Sequence, residues 1–285
     1  MSRLYEALRR VELENHPPGG VLSEPTQVTD VLRSVVSEPA ELEDAGSVRV
    51  QASSESRLVA LTAPKSLAAE KFRVLATRLG NLRAQRKLKS LQVTSSVTNE
   101  GKTFVAVNLA VTLASSFGLR TLLVEGDLHN STVESLLGLS GLPGLSNWWS
   151  MQSDGIARFL HRVDDMPLWF LTAGKSCEQP ANILQSAQFA GVFASLSTWF
   201  DWIVVDSTPM LPLADANLWS RLVDGTLLVV REEVAPVEAL KRGLKSLDNP
   251  NLVGVVLNEA SEFDRAPYER EYYGDPKHEA KRPDR

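Results

Sequence analysis

Cysteine is nearly absent: the 285-residue chain carries one, Cys177. No internal disulfide framework can form, and a reducing compartment suits such a chain. Long apolar runs are missing too. The stretch "FVAVNLAVTLASSF" is shorter than a membrane span and is broken by Asn108 and Thr112. The opening residues, "MSRLYEALRRVELENH", lack the apolar region of a secretory signal. The expectation is a cytoplasmic chain whose membrane role would come through a partner. There is no excess of basic residues: the net charge is -5, which excludes a general attraction to nucleic acid or acidic lipid, so no nucleic-acid partner is expected. Metal-ligand spacing is lacking as well, since neither His161 nor His278 stands at a ligand interval from an acid. No internal repeat is visible.

Apolar residues are plentiful, at 43% of the chain, which is enough for one large core or two small ones. Residues 1–13 suggest a short amphipathic helix with Leu4, Leu8 and Val11 on one face. Residues 14–55 are rich in Pro, Gly, Ser and Glu and read as a flexible linker, with "VTDVLRSVV" as a transient helix inside it. Residues 56–260 carry the domain signal. Ala68, Phe72, Leu75, Leu79 and Leu82 recur at helical spacing, with Gly80 as a weak point. Beyond them, the apolar runs "SLQVTSS", "RTLLVEG", "PLWFLTA", "DWIVVDS", "GTLLVV" and "LVGVVLN" alternate with helical stretches at 103–117, 185–199 and 236–247. Gly118 is a natural stop for the first of these helices. Strands apolar throughout, alternating with helices, predict an α/β fold: a mostly parallel sheet covered by helices on both faces. Residues 261–285 are charged and contain proline, and read as a mobile tail.

The stretch "SSVTNEGKT", Ser95 to Thr103, nearly spells the phosphate-loop pattern GxxxxGK[ST], with Ser96 where its first glycine would stand. It follows an expected strand and opens an expected helix, as the motif requires. Backbone amides of such a loop, together with the helix N-terminus, surround phosphate oxygens. Lys102 would reach the β- and γ-phosphates, and the Thr103 hydroxyl would ligate Mg²⁺. Alone, "GKT" is also compatible with an ordinary surface turn. Two further runs end in acids: "IVVDSTP" with Asp206, in the form of a Walker B element, and "LLVEGDLHN" with Glu125 and Asp127. Ligands of open α/β sheets bind at the carboxyl ends of strands, so these acids would meet the phosphate loop. A nucleotide and Mg²⁺ are the expected ligands of such a site.

The strand ending in acids between Walker A and Walker B is similar to the Walker A′ motif of the bacterial tyrosine kinases (BY-kinases, CpsD/CapB type). These serve capsule and exopolysaccharide systems and are relatives of the MinD and ParA ATPases. Further likeness lies in "EKFRVLATRL", "GKTFVAVNLAVTLA", "GLPGLSNWW", "AGKSCEQPANILQS", "FDWIVVDSTPMLPLADANLW", "DGTLLVVR" and "GVVLN", so the resemblance runs from about Leu67 to the C-terminus. It implies a P-loop NTPase fold with a deviant Walker A loop. It also implies ATP-dependent autophosphorylation on tyrosine and control of polysaccharide polymerisation and export. By the same resemblance, Lys102, Glu125, Asp127 and Asp206 are the catalytic set, and Thr103, Asp127 and Asp206 hold the metal. Ser96, Thr98, Asn99, Glu100, Gly101, Lys102, Thr103, Phe104 and Asn258 line the nucleotide. Asn258 equally suits a strand-ending turn. The implied partners are a separate membrane adaptor of the polysaccharide co-polymerase type, which would recruit the chain to the inner face of the membrane, further copies of the chain, and a phosphotyrosine phosphatase.

The tyrosines bear on this independently. The four are Tyr5, Tyr268, Tyr272 and Tyr273, none in the expected core, where the large ring is normally useful. Three cluster in the tail, where a phosphoacceptor role and mere tolerance of tyrosine are both open. Several positions depart from the family pattern. Asn99 stands where the loop commonly has glycine, and Asn enters positive φ readily. Glu125 replaces the first aspartate, adding one C–C bond, roughly 1.5 Å of reach. His129 replaces an arginine and loses a permanent charge. In the E-x-x-R-x-x-R element tied to self-association, Glu70 and Arg73 match but Ala76 ends the pattern. Asp215 reads as a helix N-cap. Two alternatives therefore stand beside the kinase: a catalytically weak, ATP-binding regulator of the same pathway, and a MinD- or ParA-like ATPase switch. The latter usually carries an early loop lysine, which residues 95–100 lack.

Overall fold

Along "WIVVD", Trp202 and Val204 belong to one hydrophobic cluster and Ile203 and Val205 to another, on opposite faces of the strand. The same alternation holds for Leu123 against Leu122 and Val124. A strand with apolar residues on both faces must be covered on both, and this is what the fold supplies. The computed structural model describes residues 40–50, 57–151, 155–175, 179–211, 214–232, 234, 236–248 and 251–259. The helix expected at 1–13, the tail 261–285, Cys177 and all four tyrosines lie outside them.

The strands are β1 (Gly46–Val48), β2 (Ser90–Ser95), β3 (Thr121–Glu125), β4 (Leu160–Val163), β5 (Leu168–Leu171), β6 (Trp202–Asp206), β7 (Gly225–Arg231) and β8 (Leu252–Asn258). The helices are α1 (Val59–Thr62), α2 (Leu67–Gln85), α3 (Lys102–Phe117), α4 (Val133–Leu136), α5 (Leu145–Met151), α6 (Pro180–Leu184), α7 (Ala187–Trp199), α8 (Asp215–Leu222) and α9 (Val237–Ser246). The strands form one eight-stranded sheet in the order β1-β4-β5-β3-β6-β2-β7-β8. Its pairs are parallel except β4 with β5. Helices α2 and α3 pack on one face through Phe72, Leu79, Val105 and Leu109, and α7 and α8 on the other through Phe189, Phe193 and Trp219. The α/β expectation is met. From β2 the chain crosses to β3, runs out to β4 and returns to β5, then fills the gap between β3 and β2 with β6 before extending the other way to β7 and β8. The order therefore reverses around β3, β6 and β2, which is where such sheets bind ligands.

The local signals behave as their chemistry predicts. Ser66 caps α2, accepting a hydrogen bond from the Ala69 amide at 3.2 Å, and the helix passes through Gly80 without a break. Gly118 ends α3 in the left-handed conformation at φ 63°. The helix expected over 185–199 is α7, which begins at Ala187 because the Ser186 hydroxyl accepts the Phe189 amide at 3.0 Å; the short α6 just before it was not expected. Two strands were not expected. β4, "LHRV", carries polar residues that break its pattern, and its Arg162 lies over the Trp169 ring, 5.3 Å from the centroid. β1 falls within the expected linker, yet Gly46, Ser47 and Val48 pair in parallel with His161, Arg162 and Val163. Adding a strand to a sheet edge relies chiefly on backbone hydrogen bonds, so a short, weakly apolar segment suffices.

Candidate nucleotide-binding site

Val93 of β2 lies in register with Asp206 of β6, and Glu125 of β3 lies in register with the same Asp206. The carboxyl ends of these strands thus stand side by side, and the phosphate loop leaves the first of them. Asn99 adopts φ 65° and Gly101 φ 92°. The left-handed turn is therefore made at Asn99 by one of the few side chains that tolerate it. At Gly101 the close approach of Asn258 is equally demanding: a Cβ there would lie 2.1 Å from Asn258 Nδ2. Ser96 is fully buried, and its hydroxyl donates to Glu100 Oε2 at 2.8 Å. The same oxygen accepts the Val97 amide at 2.9 Å, while Glu100 Oε1 accepts the Arg231 amide at 3.3 Å. The Glu100 side chain is thus a staple that holds the loop on β7. Serine at the vacant glycine position supplies one of its bonds.

Gly101 caps α3 without a side-chain hydrogen bond, so the first-turn amides are open to an anion. Lys102 Nζ lies 3.1 Å from Asp127 Oδ2, 3.8 Å from Asp206 Oδ1 and 3.5 Å from the Thr103 hydroxyl. Lys102, Thr103, Asp127 and Asp206 are brought together as expected. Asp127 Oδ1 accepts the Asn130 amide at 3.0 Å. Asp206 is fully buried and neither carboxylate oxygen has a hydrogen-bond partner. Burial pushes its carboxyl up to about 6; the Lys102 ammonium and the nearby Thr103 hydroxyl, which lies outside hydrogen-bond geometry, work against this, and the acids Asp127 and Glu125 add to it. Thr132, not singled out in the sequence, places its hydroxyl 3.4 Å from that of Thr103.

Other candidates sit differently from expectation. Glu125 is buried and its oxygens face backbone: Oε1 accepts the Val133 amide at 2.7 Å and Oε2 the Ala173 amide at 3.0 Å. Asn258 Nδ2 donates to the Glu100 carbonyl at 2.9 Å, so this side chain ties the phosphate loop to the end of β8. Phe104 packs edge-on against Phe72, with centroids 5.7 Å apart, which leaves its backbone for a nucleotide. Thr98 and Asn99 are exposed at the loop tip. Asp215 is not the N-cap of α8, a position held by Ala214. Its buried carboxylate meets His129 Nε2 at 2.9 Å, and burial raises its pKa while His129 opposes the rise. Glu70 and Arg73 pair with each other on α2, and Ala76 faces the core. A separate cleft of about 620 Å³, lined by Arg83, Arg86, Lys87, Lys89 and Arg221 with Asp224 the acid among them, contains none of the phosphate-loop residues.

Two observations test the fit of Mg²⁺. The Asp206 carboxylate is buried without hydrogen-bond partners, which is costly unless a cation or water satisfies it. Among the described residues, no group of three or more His, Cys, Asp or Glu could hold an ion unaided. Both suit a cation held mainly by phosphate oxygens, a hydroxyl and water, the usual habit of Mg²⁺. Among the described residues, no helix is long and apolar enough to cross a membrane.

A glycine-lysine-threonine turn between β2 and α3, facing acids at the ends of β3 and β6, defines a P-loop nucleotide-binding protein. No protein-family model matches the chain. CapB of Staphylococcus aureus is 32% identical over 217 residues, covering 74% of this chain and 92% of CapB. The tyrosine-protein kinase YwqD of Bacillus subtilis is 28% identical over 206 residues, covering 72% and 86%. The crystal structure of the chimerical protein CapA2B2 superposes with a TM-score of 0.68 at 26% identity, over 82% of this chain and 100% of that one. The chain belongs to the bacterial tyrosine kinase family.

Proposed function

We propose that the chain is an ATP-dependent protein-tyrosine kinase of an exopolysaccharide or capsule system, phosphorylating Tyr268, Tyr272 and Tyr273 of another copy in trans. The observation that carries this is the convergence of Lys102, Thr103, Asp127 and Asp206 on the phosphate loop. Loop amides and Lys102 take the phosphates. A tyrosine oxygen bonds to the γ-phosphorus, the bond to the β–γ bridging oxygen breaks, ADP leaves, and the phenolic proton passes to a site carboxylate. The Thr103 hydroxyl, with Asp127 and Asp206, would hold Mg²⁺, which would neutralise phosphate charge when bound. A separate membrane adaptor of the co-polymerase type recruits the chain to the inner membrane face, self-association brings tails to neighbouring sites, and a phosphotyrosine phosphatase reverses the reaction. Incubation with Mg-ATP is expected to yield phosphotyrosine, which Lys102→Ala and a Tyr268/Tyr272/Tyr273→Phe triple variant each abolish. No signal, or one that survives in both variants, overturns the reading.

The engagement of Glu125 with backbone amides favours a second reading, an ATP-binding regulator that transfers no phosphate. It is distinguished by ATP binding and a response of the adaptor without phosphotyrosine.

A further inference from the structure

In the kinase reading Glu125 stands where a reaction would look for its proton acceptor, directly opposite Asp206 on the neighbouring strand. The side chain is committed elsewhere. Its Oε1 holds the amide of Val133, 8 residues on, and its Oε2 holds the amide of Ala173, 48 residues on. Val133 opens α4 and closes the loop that carries Asp127. Ala173 lies in the loop after β5, and its carbonyl accepts the Ser146 amide at 3.0 Å, next to the bond from the Leu145 amide to the Thr172 carbonyl at 2.9 Å. Gly144 packs so closely on this link that a Cβ would lie 2.2 Å from the Thr172 carbonyl oxygen. One carboxylate at the end of β3 thus joins the two loops flanking the site and, through Ala173, the start of α5. Asp127 sits between Glu125 and Val133 on the braced loop, 3.1 Å from Lys102.

We infer that Glu125 is a positioning residue: its carboxylate braces the loops after β3 and β5 and so sets Asp127 against Lys102. The length of the side chain is what makes this device work. An aspartate is shorter by one C–C bond, roughly 1.5 Å, and cannot keep both amides without moving a loop. Glutamate here is therefore a replacement of function, and restoring the family's aspartate harms the site. The effect on turnover rests on the kinase reading; the brace itself does not.

The test is Glu125→Asp and Glu125→Gln in the full chain, read by amide hydrogen exchange, ATP affinity and the rate of phosphotyrosine formation. The Val133 and Ala173 amides of the natural protein are expected to be protected, and both variants to exchange at least about 10-fold faster there. The rate at saturating ATP should fall on the order of 10²-fold in Glu125→Asp, as for a displacement of about 1 Å, with ATP affinity unchanged within about 2-fold. A Glu125→Asp protein that matches or exceeds the natural rate overturns the assignment, since that is the behaviour of a proton acceptor restored. Unprotected Val133 and Ala173 amides in the natural protein overturn it as well. If no phosphotyrosine forms in any protein, the kinase reading fails, and exchange alone still decides the brace.

Discussion

At the scale of single residues, the site is built from side chains that do one of two jobs. Lys102, Asp127 and Asp206 face one another, whereas Glu100, Glu125 and Asn258 hold backbone in place. Asp206 makes the contrast measurable. Its folded pKa of about 6 lies above the ordinary 3.8 because burial disfavours the charge. The stability it contributes is therefore present in full below pH 3.8 and is lost as pH rises through about 6. The gap corresponds to about 3 kcal/mol. Asp206→Asn cannot ionise, so its stability relative to the natural chain should grow between pH 4 and pH 7; urea denaturation of the nucleotide-free proteins at both pH values checks this. Gly101→Ala has the opposite character. It places a methyl group on Asn258 Nδ2 and demands a left-handed alanine. ATP binding, followed by calorimetry, should fall at least about 10-fold, while the apolar sheet core is untouched.

At the scale of elements, most of the fold was legible because the strands are short, apolar runs and the helices carry recognisable stops. Gly118 did what its chemistry allows. Where reading failed, the element was held by something other than its own pattern. β1 is a three-residue strand held by pairing to β4, and β4 has polar side chains. Gly80 offers an element-level test. It sits inside α2, and nothing lies within 4 Å of where its Cβ would be. Gly80→Ala should stabilise the protein by about 0.5–1 kcal/mol by reducing the freedom of the unfolded chain. Chemical denaturation should show a higher midpoint with an unchanged slope; a lower midpoint would mean that the helix needs the glycine.

At the scale of the whole molecule, the site depends on a sheet that folds from distant segments. β2 is clamped between β6 and β7, so the phosphate loop rests on strands drawn from later in the chain. A nucleotide that bridges this loop and the acids of β3 and β6 binds only the assembled sheet. Mass action then predicts about 2.7 kcal/mol of stabilisation at a hundred times Kd. For a domain of this size that is a rise of roughly 5–10 °C in Tm. Thermal unfolding with and without Mg-ATP should show it, and Lys102→Ala should reduce it sharply.

By itself, the sequence determined the alternation of strands and helices, the phosphate loop and the acids that end its neighbouring strands. These signals are contiguous: a periodic run or a short motif announces itself within a dozen residues. The tertiary structure decided which way the side chains of those motifs point. Glu125 turns to an amide 48 residues away and Asn258 to a carbonyl 158 residues away, while His129 meets Asp215 across the fold. A strand-ending acid looks the same in one dimension whether it faces the ligand or a backbone amide. Only the packing of the loops around it settles the choice, because only there do the competing hydrogen-bond partners exist.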